Sequence, residues 1–384
     1  MEKIQALPDM KSGKAIKRTF WGASAFYALI AFEFLYMASP FAVYFYAVYR
    51  PALNFFNHSP LLAWLIRYFM PHFSQTSSAI LNAHNIVGGI LAVSGFLGFC
   101  IGACQVYYHK LAKKGAVTGG IYNFIRHPQY ACFIICSFGL LILWPRFIVL
   151  IMFTTMLFVY YYLARAEERE CEAKFGQSYI DYKNTTGMFL PIRIPKGRSQ
   201  ARRTKVQRAF MAAGIYIITI VAAVLIATGI ENLTLNSLYT VYTKDSANIS
   251  VCSIEKNKME NILNIALSND EVKARLNEVG KGNKTRFLNY ILPTTWYAAE
   301  IPMNSGGGFS AHSEASDYDR NLYKIIYTKV GMRKDNVSGK DILLNVVRIE
   351  PALEVWVNVS DRKVYKILGM PKNVMYKNTP VAIY

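Results

Sequence analysis

The residues best equipped for chemistry lie in two short stretches. The first is Gly119-Gly120-Ile121-Tyr122-Asn123-Phe124-Ile125-Arg126-His127-Pro128-Gln129-Tyr130. Pro128 stands where an apolar helix begins, and proline suits a first helical turn because its missing N–H had no partner there. The next amides of such a helix are free to point at an anion. Gly119 and Gly120 let the backbone come close to a ligand. Arg126 brings a fixed positive charge, and His127 a ring that donates and accepts. The second stretch runs from Ala164 to Tyr182 and holds Glu167, Glu168, Cys171, Phe175, Gly176 and Tyr179, with Pro191 downstream. Each stretch alone also has a plain reading. The first suits a loop whose charges orient a membrane protein. Glu167–Glu172 suits a solvated helix face, and Tyr179 and Tyr182 suit interfacial anchors.

What must position these residues is the apolar chain between them. Pro128–Leu143 and Phe147–Leu163 flank a turn at Trp144-Pro145-Arg146. At ~1.5 Å per residue each arm covers roughly 25 Å, enough for a short membrane crossing. A two-arm hairpin returns the chain to the face it left, so Glu167 and Glu168 can meet His127.

Arg-His-Pro-x-Tyr, two apolar spans, then Glu-Glu, Phe-Gly-x-x-Tyr-x-x-Tyr and a later proline resemble the membrane methyltransferases of the isoprenylcysteine carboxyl methyltransferase and phospholipid methyltransferase family. The resemblance covers Ala79–Ile192. It implies an S-adenosylmethionine-dependent methyltransferase, with the cofactor at the cytosolic ends of membrane helices. The implied cofactor-binding residues are Gly120, Tyr122, His127, Pro128, Tyr130, Glu167 and Glu168. The cofactor carboxylate would sit on the amides after Pro128. His127 and Tyr130 would hold it or flank the adenine, Glu167 or Glu168 would take the ribose hydroxyls or the ammonium, and Tyr122 would pack on the cofactor. Catalytic roles fall to Glu168 and to Arg126, which orients an anionic acceptor or pairs with a neighbouring glutamate. No metal is implied. The implied acceptor is lipophilic or membrane-associated: an isoprenylcysteine carboxylate, a phospholipid amine or a small thiol. Cys132 departs from the family, which often has glycine there.

Composition fits a membrane protein with a soluble part. The 384 residues are 53% hydrophobic and 17% charged, with a formal charge of +19. Residues 1–230 carry 23 Lys/Arg against 8 Asp/Glu, and residues 231–384 carry 20 against 16. The excess therefore belongs to the apolar half, as expected where basic loops set orientation. A nucleic-acid partner would need a basic face on a soluble domain, and the balanced tail offers none. The six cysteines make no disulfide framework. Cys100/Cys104 and Cys132/Cys136, each four apart, are expected to pack rather than to bind metal.

The expected architecture is an all-α polytopic domain of about five transmembrane helices followed by a small soluble α+β domain. Residues 1–19 form a basic cytosolic tail. Residues 20–192 form the methyltransferase-like domain, with spans at Phe20–Tyr49 (holding Glu33), Ala79–Tyr107, Pro128–Leu143 and Phe147–Leu163. Residues 193–208 form a basic linker that meets lipid headgroups, and 209–230 an additional span. Residues 231–384 form the outer domain, which has room for an unknown partner. There, Asn261–Val279 reads as an amphipathic helix. Tyr323–Tyr327, Ile342–Val347, Leu353–Val359 and Lys363–Ile367 read as strands. With the N-terminus and site cytosolic and the C-terminus extracytoplasmic, the basic clusters fall inside, as in a bacterial inner membrane or the endoplasmic reticulum. Two other functions fit less well: a sterol-type reductase, which needs more spans before its site, and a non-catalytic anchor for a sensor domain.

Overall fold

Apolar composition decides where the helices run. The computed structural model describes residues 28, 50–112, 116–192, 204–280, 285–298, 301, 303–304, 318–370 and 381–384. The basic tail, the first expected span with Glu33, most of the basic linker and most of the Gly/Ser-rich loop at 305–319 lie outside the described residues. Helix α1 (Arg50–His58) leads to a 3-10 turn at Ala63–Ile66 and a single α-turn at Ala79–Asn82. Then come α2 (His84–Leu111), α3 (Pro128–Leu143), α4 (Phe147–Phe175), α5 (Gln177–Thr185) and α6 (Lys205–Ser237). Among the described residues, three helical stretches are long and apolar enough to cross a membrane: Ala79–His109, Phe147–Phe175 and Lys205–Ser237. Helix α3 is apolar but shorter, at 16 residues.

Helices α2 and α3 meet through glycine. A Cβ placed on Gly95 would lie 2.3 Å from the Cys136 amide nitrogen, and one on Gly139 would lie 2.4 Å from that of Ala92. Backbones this close need residues without side chains. Cys132 and Cys136 sit in this packed seam. A Cβ on Gly98 would lie 2.6 Å from the Cys132 Sγ. We therefore expect Gly95→Leu to separate the two helices and lower the melting temperature of detergent-purified protein. Overpacking costs ~1–3 kcal/mol even where neighbours yield, and backbone cannot yield as a side chain does. An unchanged melting curve would contradict the seam.

The chain beyond α6 builds a sheet domain. Strands β1 (Thr240–Tyr242), β2 (Ser246–Ser250), β3 (Arg286–Pro293), β4 (Leu322–Met332), β5 (Val346–Asn358) and β6 (Lys363–Gly369) form one sheet in sequence order. All neighbours are antiparallel except β2 and β3, which are parallel. A parallel pair needs a crossover, supplied by α7 (Lys256–Ser268) and α8 (Asp270–Val279). Two expectations need correction. The single helix at Asn261–Val279 is two, because the Asn269 side chain accepts from Val272 N and starts a new helix. The strand expected at Ile342–Val347 begins only at Val346. Before it lies a helical turn, α9 (Asp341–Asn345), which buries Ile342 and Leu343. Strands β1, β2 and β3 went unforeseen.

Alternation along β4 splits the core. Tyr323, Ile325 and Tyr327 pack with Met259, Ile262 and Val272 of the helices. Ile326 joins Tyr290, Leu292 and residues 381–384 on the other side. That second face meets the rest of the chain. Tyr384 O accepts from His72 N at 2.5 Å, the Tyr384 hydroxyl donates to Tyr68 O at 2.8 Å, and the Tyr290 hydroxyl donates to Ile383 O at 3.0 Å. Arg67 pairs with Glu231 at 3.1 Å, and Arg333 donates to Asn57 Oδ1 at 2.8 Å.

Candidate functional site

The opposite end of the helices carries the motif residues. Pro128 occupies the first turn of α3, and His127 is its N-cap without a side-chain capping bond. The preceding loop closes as a 3-10 turn at Gly120–Asn123, entered through Gly120 at φ +63°, a left-handed value that favours glycine. Tyr122 is buried, and its carbonyl accepts from the Tyr182 hydroxyl at 2.6 Å. Helix α4 runs 29 residues and brings Glu167 and Glu168 beside His127, as the hairpin geometry requires.

The two glutamates have different surroundings. Glu168 is 1% exposed. Its Oε1 lies 2.7 Å from Arg126 Nε, and its Oε2 lies 2.6 Å from Lys183 Nζ. Arg126 is otherwise occupied: Nη1 donates to Lys183 O at 2.8 Å and to Thr186 O. Of the two roles open to Arg126, the pairing with glutamate is the one observed. The side chain of Glu167 is 39% exposed. Its Oε1 accepts from the Tyr130 hydroxyl at 2.5 Å, and its Oε2 lies 3.5 Å from His127 Nδ1. His127 Nε2 is 3.6 Å from Glu168 Oε1, is buried and makes no hydrogen bond. The rings of His127, Tyr130 and Tyr160 stack at 5.7 and 5.1 Å.

Electrostatics follow from this packing. Burial pulls the His127 pKa down, but the nearby carboxylates of Glu167 and Glu168 outweigh it, so it is raised. Burial likewise opposes the charge on Lys183, and Glu168 and Glu172 overcome it, so its pKa also rises. Burial pushes the Tyr122 phenol up, and Tyr182 reaches about 12 despite Arg126.

Sequence reasoning missed Lys183, Thr186 and Gly187. Lys183 bridges Glu168 and Glu172, with both contacts at 2.6 Å. Its signal was present, since Tyr179, Tyr182 and Lys183 share one face of α5 at spacings of three and four. Gly187 O accepts from Arg126 N at 2.9 Å, and Met188 O accepts from His127 N at 3.1 Å, so the segment after α5 straps the motif loop. A Cβ on Gly187 would fall 1.8 Å from Leu190 O. Among the described residues no group of three or more His, Cys, Asp or Glu side chains is placed to hold a metal.

The comparisons bear on the same segment. A model of the phospholipid methyltransferase family matches residues 82–178. A curated relative, protein-S-isoprenylcysteine O-methyltransferase of Schizosaccharomyces pombe (strain 972 / ATCC 24843), is 30% identical over 96 residues. That alignment takes in 23% of this chain and 41% of the relative, so the chain spans about two fifths of the relative's length. Both names are those of methyltransferases, and neither is that of a reductase. No solved structure matches the chain significantly.

Proposed function

We propose that this chain, whose residues 82–178 match a model of the phospholipid methyltransferase family, transfers a methyl group from S-adenosylmethionine to a lipophilic or membrane-associated acceptor. The observation that carries the reading is the charged cluster at the start of α3, with its different burial of two neighbouring glutamates. Glu168, locked between Arg126 and Lys183, fixes the relative positions of α4, α5 and the motif loop. Glu167, His127 and Tyr130 form the surface above it.

These residues fit the cofactor. His127 Nε2 is a buried polar atom without a hydrogen bond, and such groups in folded proteins call for a partner. The first amides of α3 suit a carboxylate. Glu167 suits an ammonium or ribose hydroxyls, and the face of Tyr130 suits a sulfonium. When bound, S-adenosylmethionine supplies an activated methyl for in-line displacement. The protein's share is to hold the acceptor in line and to limit water. An acceptor that is already anionic needs no base. An amine must lose a proton, and His127 and Glu167 stand where one can be taken. In this reading five helices cross the membrane, with the site on the cytosolic side and the sheet domain on the other.

The test is binding. We expect His127→Ala to weaken S-adenosylmethionine binding by roughly tenfold or more, because a charge-assisted bond in a partly dry site contributes ~1.5–3 kcal/mol. Calorimetric titration of detergent-purified protein measures it. Wild-type protein that binds neither S-adenosylmethionine nor S-adenosylhomocysteine would refute the function.

A further inference from the structure

Helix α2 supplies a wall to this loop that no motif marks. Gln105 and His109 are four residues apart and share one face. Gln105 lies over the motif loop: a Cβ built on Gly120 would fall 2.3 Å from its Nε2. One turn earlier on α2, the Gly102 carbonyl accepts from the Tyr122 hydroxyl at 3.4 Å. Beside this contact the loop is open, since a Cβ on Gly119 would meet nothing within 4 Å. Yet Gln105 Oε1 and His109 Nδ1 are both buried and have no hydrogen-bond partner. Each stays desolvated without a compensating bond unless a partner arrives. Two such atoms on one helix face, next to an open glycine backbone, mark a place where a ligand completes the bonding.

We propose that Gln105 and His109 form the nucleobase-binding wall of the methyl-transfer site, with the Gln105 carboxamide pairing to the edge of an adenine. The chemistry follows from the group. A carboxamide presents one donor and one acceptor side by side, whichever way it is turned. The N7 edge of adenine presents the complementary pair, the exocyclic amine and N7, and glutamine pairs with it through two bonds, whereas the same edge of hypoxanthine presents two acceptors. Glycine at 119, with open space where a side chain would stand, lets the flat base approach the backbone. His109, one turn further on, takes a second polar atom of the same ligand. This assignment rests on the proposed methyl transfer and adds the residue that selects the base.

The test compares S-adenosylhomocysteine with its inosine counterpart, in which a carbonyl replaces the exocyclic amine. Wild-type protein in detergent should bind the adenosine compound about tenfold or more tightly, the discrimination expected of a two-bond pair. In Gln105→Leu that preference should shrink to within about twofold, while His109→Phe weakens both ligands alike. A general packing defect would weaken both and leave the preference intact. If wild-type protein binds both compounds equally, or if Gln105→Leu keeps the full preference, the assignment is overturned while the methyltransferase reading stands. If wild-type protein binds neither, both fall.

Discussion

Glu168→Ala should collapse the cluster that joins α4, α5 and the motif loop. Removing this carboxylate leaves Arg126 and Lys183 without the group that brings them together. Breaking a buried pair by deleting one partner costs ~3–5 kcal/mol, because the remaining charge stays desolvated. Arg126 would keep its bonds to the Lys183 and Thr186 carbonyls but no anion at its Nε. We expect a clearly lower melting temperature and undetectable binding of S-adenosylhomocysteine. Glu168→Gln should fall between the two proteins, since the amide still accepts. Lys183→Met should be milder than Glu168→Ala, because Glu168 retains Arg126. Glu172→Ala should be mildest, since Glu172 touches the network only through half-exposed Lys183. If Glu168→Ala melts like wild type, the carboxylate is not what binds these elements together.

Raising the pH from about 8 to about 10.5 should stabilise the sheet domain. Lys324 lies on β4, wholly buried, on the same face as Glu354 and Trp356 of β5. Burial lowers its pKa from 10.5 to about 8, although the charge of Glu354 opposes the shift. The sign follows from linkage. Between the folded and unfolded values the unfolded chain binds more protons, so stability rises with pH there. Below about 8 both states are protonated, and burial of the charge costs on the order of 3 kcal/mol. Above about 10.5 both are neutral and that cost is gone. Urea unfolding at several pH values, followed by fluorescence of Trp296 and Trp356, measures the change. Lys324→Met should flatten the profile across this window. An equal alkaline rise in that variant would assign the effect to another group.

How much was legible in the sequence differs between the two halves. The motif loop, the hairpin and the meeting of Glu167 and Glu168 with His127 could be read because a membrane helix has a fixed rise and a bilayer a fixed thickness. The division of labour between the glutamates could not. It depends on Lys183 reaching back from α5, a contact that no periodicity of α4 encodes. In the sheet domain Asn269 could have been recognised as a helix cap, followed by Asp270 and Glu271 in the first turn. Strand β3 was harder, because Arg286–Pro293 is buried along nearly its whole length and lacks polar–apolar alternation. At Asp341–Asn345 the run Ile-Leu-Leu fits a helix turn as well as a strand, and only packing decided.

Only Leu238 and Tyr239 separate the end of α6 from β1. A connection of two residues has no slack, and residues 381–384 clamp the sheet to Tyr68 and His72 from the other side. The sheet and α6 are thus mechanically in series. Helix α6 in turn bears on α4, where the hydroxyls of Tyr216 and Thr155 lie 2.9 Å apart and the Tyr216 ring meets Phe158 edge-on. Helix α4 ends in the two glutamates. A torque applied to the sheet would therefore be carried by a stiff shaft to the far end of the bundle rather than lost in a tether.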